Sequence, residues 1–238
     1  MKEEEITWSI APHTEVKHII LKKYLGAWLP IINSKHRKMI FIDGFAGPGE
    51  YKGGEEGSPI IALKSLIEHK LELKGEFIFI FIEKDKDRCN HLNNVVSKLK
   101  IPGGADIKLV VKCGEFKKEI TAILDDLEKN GKSMAPTFLF IDPFGFSGVP
   151  MEQIKRFMKN KWCEVLITFM LEEITRFCSL PQNDNNLTEL FGSDEWKRII
   201  NDSNLSSEEK LWGLHNLYLN QLKNISGITY VRSFKMIN

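Results

Sequence analysis

MIFIDGFAGPGE, residues Met39 to Glu50, reads as a buried strand that stops at an acidic, glycine-rich turn. Met39 to Ile42 form a continuous apolar run, the pattern of a parallel strand covered on both faces. Asp43 then sets a carboxylate at the strand's carboxyl end, where open α/β sheets bind ligands. Gly44, Gly47 and Gly49, with Phe45 and Ala46 between them, supply a backbone that a ligand can approach closely. The glycine spacing alone is weak, because Gly47-Pro48-Gly49 would also serve as an ordinary tight turn. Pro48 departs from the dinucleotide fingerprint, whose third glycine falls inside a helix already begun. Here the loop runs on from Tyr51 to Gly57, and the next helix is expected to start with Ser58 as N-cap and Pro59 in the first turn. A loop of that length suits a ligand cover better than a plain crossover.

Outward from that stretch the chain alternates strands and helices. Upstream, Thr14 to Ile32 shows helical spacing, with Val16, Ile19, Ile20, Leu25, Trp28 and Leu29 as an apolar stripe ending near Pro30. This predicts a docking helix within an amino-terminal helical region, 1–36. Downstream, strands are predicted at 77–82 (FIFIFI), 107–111, 137–141 (TFLFI) and 164–170 (EVLITFM). Helices are predicted at about 59–72, 85–99 and 115–130, from Val149-Pro150 to about 160, and through much of 185–223, and Ile228 to Phe234 reads as a sixth strand. Such alternation predicts an α/β fold: a doubly wound, mostly parallel, Rossmann-like sheet with helices on both faces and right-handed crossovers. A single domain over 1–238 is expected, with 179–223 as a helical insertion or cap and a closing strand falling beyond residue 238.

Composition narrows the class. At 238 residues and 42% hydrophobic content the chain can bury a core without disulfides. Cys89, Cys113, Cys163 and Cys178 are widely spaced and lack metal-ligand spacing, so they are expected to be reduced, mostly buried thiols of a cytoplasmic protein, and no metal site is expected. The amino terminus, MKEEEI, is charged where a signal peptide would be apolar, and no run approaches the roughly 18–20 apolar residues of a membrane helix. A net charge of +1 neither selects nor excludes nucleic acid, because a local basic face decides that. Three candidate patches exist: Lys35 to Lys38; Lys17, Lys22 and Lys23; and Lys155, Arg156, Lys159 and Lys161. Each is more often just a solvated helix face than a nucleic-acid contact.

Three further strand ends carry acidic or aromatic groups. Glu83, followed by Lys84 and Asp85, ends the second strand, where a carboxylate can accept two ribose hydroxyls; the alternative is a cap for the next helix. Glu115 and Phe116 follow the third strand, placed either to border an adenine or simply to start a helix. Asp142-Pro143-Phe144 ends the fourth: a carboxylate stiffened by proline, with an aromatic beside it, can bond a planar amine and stack on it. A plain Asp-Pro turn is the alternative. Four acidic strand ends on one edge repel unless a ligand or donors lie between them. The missing GK[ST] triplet argues against a P-loop, and the order of acid–glycine loop, acid, acid, Asp-Pro-aromatic fits S-adenosylmethionine best. Lys17 and His18, on an amphipathic helix, are expected to face solvent or pair along it, and stay outside the catalytic set; contact with cofactor or substrate is the alternative, which only a family resemblance suggests.

The chain resembles the three-Cys-motif partner proteins, methyltransferase-like proteins encoded beside a cysteine-motif partner. The matching stretches are Lys17 to Leu25, Phe41 to Tyr51, Gly54 to Pro59, Ile141 to Gly145 with Gly148 to Pro150, and Phe191 to Trp196. Asp43 to Tyr51 and Asp142 to Phe144 also resemble motifs of adenine-N6 RNA methyltransferases, which carry an Asp-Pro-Pro-Tyr tetrad. This chain has Phe144 for the second proline and Gly145 for the tyrosine, so base stacking would fall to Phe144 or Phe146. The resemblance implies an S-adenosylmethionine-binding amino-group methyltransferase acting on nucleic acid. Asp43 to Gly49 and Ser58 would hold the methionine part, Glu83 and Lys84 the ribose, Glu115 and Phe116 the adenine, and Asp142 the target amine. The alternative it leaves open is a non-catalytic binding module working with the cysteine-motif partner.

Overall fold

The computed structural model describes residues 6–101 and 106–235, so the start of the charged amino terminus lies outside the described residues. The elements are α1 (Pro12–Asn33), β1 (Lys38–Asp43), α2 (Ser58–Ile67), β2 (Glu76–Glu83), α3 (Lys86–Ser97), β3 (Asp106–Cys113), α4 (Phe116–Lys129), β4 (Thr137–Ile141), α5 (Met151–Met158), β5 (Cys163–Ile167), α6 (Leu171–Phe177), α7 (Asp184–Phe191), α8 (Glu195–Asn201) and α9 (Ser207–Lys223). All the strands are parallel, in the order β3-β2-β1-β4-β5, a Rossmann-like doubly wound sheet.

Strict alternation along the central strands builds a core on each face. Phe41, Phe79, Phe81, Phe138 and Phe140 point to the side covered by α1, α2 and α3, where Leu25, Leu63 and Leu92 meet them. Ile42, Ile82, Leu139 and Ile141 point to the other side, against Ile120 of α4, Ile154 of α5 and Leu214 of α9. Both faces being covered is why these strands read as unbroken apolar runs. Truncating a side chain as enclosed as Phe140, at 2% exposure, to alanine removes about 3–5 kcal/mol. The segment read as an insertion, 179–223, places Leu187, Phe191, Trp196 and Tyr218 in this second core. No helix among the described residues is long and apolar enough to cross a membrane.

Helix α1 packs by a stripe different from the expected one. His18, Leu21, Leu25, Trp28, Leu29 and Ile32 are buried, whereas Val16 and Ile19 stand 43% and 54% exposed. Pro30 lies inside the helix, which ends one turn later at Asn33. The helix is fastened across the sheet by Glu164 of β5, whose carboxylate accepts the Trp28 indole N–H at 3.1 Å and the Tyr24 hydroxyl. Burial and that carboxylate together push the Tyr24 phenol well above its ordinary range.

Other expectations need correction. Strand β5 stops at Ile167: the Thr168 N–H makes the last ladder bond, to the Ile141 carbonyl at 2.8 Å, and the chain then leaves the sheet through Phe169 and Met170. Residues 228–234 form no strand: Tyr230 and Phe234 are exposed, and Ile228 and Val231 only lean on the core. Helix α2 stops at Ile67, five residues short, giving way to a loop that ends at Gly75. Gly75 has φ +133°, and a Cβ there would stand 2.3 Å from the Arg37 carbonyl oxygen. Finally, Cys89 and Cys113 are joined by a disulfide with Cα atoms 5.7 Å apart, leaving Cys163 and Cys178 as buried free thiols. Sequence spacing concealed this pair; the packing of α3 beside β3 brings them within bridging range.

Candidate functional site

The chain winds outward from β1 to β3 and returns through β4 to β5, so the strand order reverses between β1 and β4. That reversal opens a crevice at the strands' carboxyl ends. Asp43 closes β1 there with no exposure to solvent. Its Oδ1 accepts the Phe45 N–H at 3.1 Å, and that bond and the nearby Ser58 hydroxyl both pull the carboxyl down. Its Oδ2 has no partner. Burial is the main cause that pushes this carboxyl up to about 7, with the charges of Asp142 and Glu83 adding to it. Ser58 is thus the first residue of α2 and serves Asp43, while Gly57 is the N-cap. Only glycine fits that position, since a Cβ would meet the Gly49 carbonyl oxygen at 2.8 Å.

The loop after Asp43 is held from behind by β2 and α3. Gly47 and Gly49 adopt φ +62° and +88°, and a Cβ on Gly49 would lie 2.7 Å from the Leu92 side chain of α3. The Ala46 N–H bonds the Ile82 carbonyl at 2.9 Å. Glu83 accepts the Gly47 N–H at 2.9 Å on one oxygen and the Asp85 N–H at 2.8 Å on the other. The cap of α3 is Asp85, through the Arg88 N–H at 2.9 Å, so the capping alternative for Glu83 is not the one adopted. At 5% exposure Glu83 anchors the glycine loop.

The other residues expected around an adenosyl group lie elsewhere. Lys84 is exposed. Glu115 is an exposed N-cap position whose carboxyl is held below its ordinary range by Lys118, 2.8 Å away. Phe116 is buried in the core, 5.4 Å ring to ring from Phe45, and its edge leaves no room for a Cβ on Gly44. It buttresses the loop from below. Asp43 and Gly44, enclosed behind the loop, fall outside the lining of the main cleft, as do Glu83, Lys84, Glu115 and Phe116.

That cleft lies between the glycine loop, the Asp142-Pro143-Phe144 turn and the start of α1, with a volume of about 640 Å³ counted out to bulk solvent. Phe45, Ala46, Gly47, Gly49 and Ser58 line it together with Asp142, Pro143 and Phe144, and so do Trp8, Lys17, His18 and Tyr51. The expectation that Lys17 and His18 face solvent or pair along their helix is overturned. The Lys17 ammonium bridges both Asp142 oxygens, 2.7 Å from each, with the two side chains only 12% and 15% exposed. His18 continues the buried stripe of α1, and desolvation lowers it to about 4 against the pull of Asp142, so it is neutral at pH 7. Phe144 stands 72% exposed at the mouth, edge-on to Trp8 with centroids 5.3 Å apart. Trp8 also meets Tyr51 at 5.9 Å and carries the Arg88 guanidinium over its ring. The Lys52 N–H bonds the Trp8 carbonyl at 3.0 Å, so the segment before α1 is strapped across the loop.

Sequence reading missed Trp8, Lys17, His18 and Tyr51 as cleft residues. For His18 a signal existed, since it lies at helical spacing before Leu21, Leu25 and Trp28. For Trp8 none did, because its place depends on a loop contact across more than 40 residues. Among the basic patches, Lys17 is spent on Asp142, Lys38 pairs with Glu76, and Arg156 is clamped by Asp125 and Glu128. The chain matches no protein-family model, and no curated protein matches it.

Proposed function

We propose that the β1/β4 cleft binds S-adenosylmethionine and that the protein transfers its methyl group to an amino group on nucleic acid. The observation that carries this reading is Asp43, fully enclosed at the end of β1 with one carboxylate oxygen unpartnered beside a glycine loop. A buried polar atom without a partner costs about 1–3 kcal/mol, so such an atom at a strand's carboxyl end fits a donor arriving with a ligand. The amino group of S-adenosylmethionine is a cationic donor of that kind. Asp43, Gly47, Gly49 and Ser58 would hold the amino-acid part; Glu83 would act indirectly, by fixing Gly47. When bound, the cofactor supplies an electrophilic methyl group on a sulfonium.

The protein's task is then mostly positioning, since an in-line approach of amine to carbon is an orientation problem. Asp142, stiffened by Pro143, offers the carboxylate that would accept the amine's N–H, and the open ring of Phe144 offers a face for a planar base. The first test is calorimetry with S-adenosylhomocysteine: no heat and no thermal stabilisation at millimolar ligand would sink the reading. A second reading rests on the Lys17–Asp142 pair, which already occupies the carboxylate meant for the amine. On that reading the protein is a methyltransferase-shaped binding module serving a cysteine-motif partner, and a methyl-transfer assay on bulk RNA, DNA and protein, with and without the partner, separates the two.

A further inference from the structure

Beside β2 and Phe116, helix α3 backs the far half of the glycine loop. Leu92 of α3 packs on Gly49 so closely that no Cβ fits between them. His91 of α3 meets the Glu50 carboxylate at 2.9 Å, and Arg88 lies over Trp8 of the strap. The first turn of α3 joins the same network, since the Cys89 N–H bonds the Asp85 carbonyl at 2.9 Å while the Asp85 N–H bonds Glu83, which holds Gly47. Whatever fixes the start of α3 therefore fixes the loop.

The Cys89–Cys113 disulfide fixes it. Cys89 is fully buried in α3, and Cys113 is the exposed last residue of β3, in register with Glu83. We propose that this disulfide is a redox-sensitive clamp that locks α3 against the glycine loop, so that the oxidised protein binds its cleft ligand and the reduced protein binds it more weakly. The regulatory role rests on the reading of that loop as a ligand site; the mechanical coupling does not. In reduction a dithiol gives up two electrons and two protons: its own sulfurs join, and Cys89 and Cys113 become separate thiols. Two thiols need van der Waals spacing where a bond stood; the exposed Cys113 side chain is free to turn away, and α3 then loses its covalent tie to the end of β3.

The test equilibrates the full chain in buffers of graded reduced and oxidised dithiothreitol. Thiols are counted by maleimide mass shift, S-adenosylhomocysteine affinity is measured by calorimetry, and hydrogen exchange is followed in the peptide spanning residues 44–51. The expected result is a rise from two reactive thiols to four under denaturing labelling, because Cys163 and Cys178 are free in both states. With it come about tenfold weaker binding, within the usual range for coupled sites, and faster exchange of the loop. Cys113→Ser, at an exposed position, should show the weak affinity at every ratio. Equal affinity and equal exchange in both states would overturn the proposal, as would four thiols at the most oxidising ratio. If no ligand binds in either state but the loop's exchange still follows the thiol count, the ligand reading falls and the clamp stands.

Discussion

Replacing Asp43 with asparagine should reshape the pH dependence of stability, and the structure gives its size. The carboxyl is fully enclosed and pushed up to about 7 from an unfolded value of 3.8. With the folded value raised, the fold favours the protonated acid, so this group's contribution is complete below pH 3.8 and is lost as pH rises through about 7. Between pH 5 and pH 8 the loss is about 2.5 kcal/mol, from roughly 1.4 kcal/mol per unit of differential titration. His18 acts in the opposite sense: lowered to about 4 from 6.5, it contributes stability present above 6.5 and lost as pH falls toward 4. The two slopes oppose in the same window, so the native protein should have a shallow pH profile, and Asp43→Asn should unmask a stability that climbs with pH. The assay is urea unfolding of both proteins at pH 5 and pH 8. The quantity read is the change in their difference, which cancels His18 and the fixed cost of an unpartnered amide. A shift of about 2.5 kcal/mol in favour of the variant at pH 8 corresponds to roughly 5–10 °C in Tm for a chain of this size. Parallel pH profiles would refute the reasoning, because they would mean Asp43 titrates as an ordinary carboxylate.

The remaining predictions concern the cleft. Asp142→Ala should abolish methyl transfer while sparing S-adenosylhomocysteine binding, and should cost about 3 kcal/mol of stability by leaving Lys17 enclosed without its partner; unchanged turnover would refute the assigned role. Gly49→Ala combines a left-handed backbone with a clash against Leu92, and urea unfolding should show a loss above about 2 kcal/mol together with lost ligand binding. Phe144→Ala should leave stability within about 0.5 kcal/mol, since the ring is 72% exposed, yet weaken single-stranded RNA or DNA binding by about 1–3 kcal/mol per lost stack. That binding should also fall steeply with added salt in a filter-binding titration, and a flat response would exclude phosphate contact.

The architecture was legible in the sequence because fully covered parallel strands write themselves as runs such as FIFIFI and TFLFI, and strand starts fell within a residue or two. What failed was decided by tertiary contacts. Ile228 to Phe234 has strand composition but forms no pairing in the sheet, and composition does not create an edge partner. Val16 and Ile19 are apolar yet exposed, because the face of α1 that packs on α2 and the sheet is the one carrying His18, Leu21, Leu25 and Trp28. At the site, Asp43 and Asp142 were readable as strand-end acids, whereas the work of Glu83, Phe116 and Lys17 could not be read, since each answers to a residue far away in sequence.

The fastening of α1 to Glu164 sets the order in which the cleft can come into being during synthesis. Tyr24 and Trp28 find their acceptor 140 and 136 residues later, and Lys17 reaches Asp142 across 125. At about 5–20 residues per second on the ribosome, the first helix waits on the order of 10 seconds or more before β5 emerges to receive it. During that interval α1 can already pack on α2 and β1, but Tyr24, Trp28 and Lys17 lack the carboxylates that fasten them. Ligand binding at this cleft would consequently report completion of folding, because the two ends of the domain must meet before the site exists.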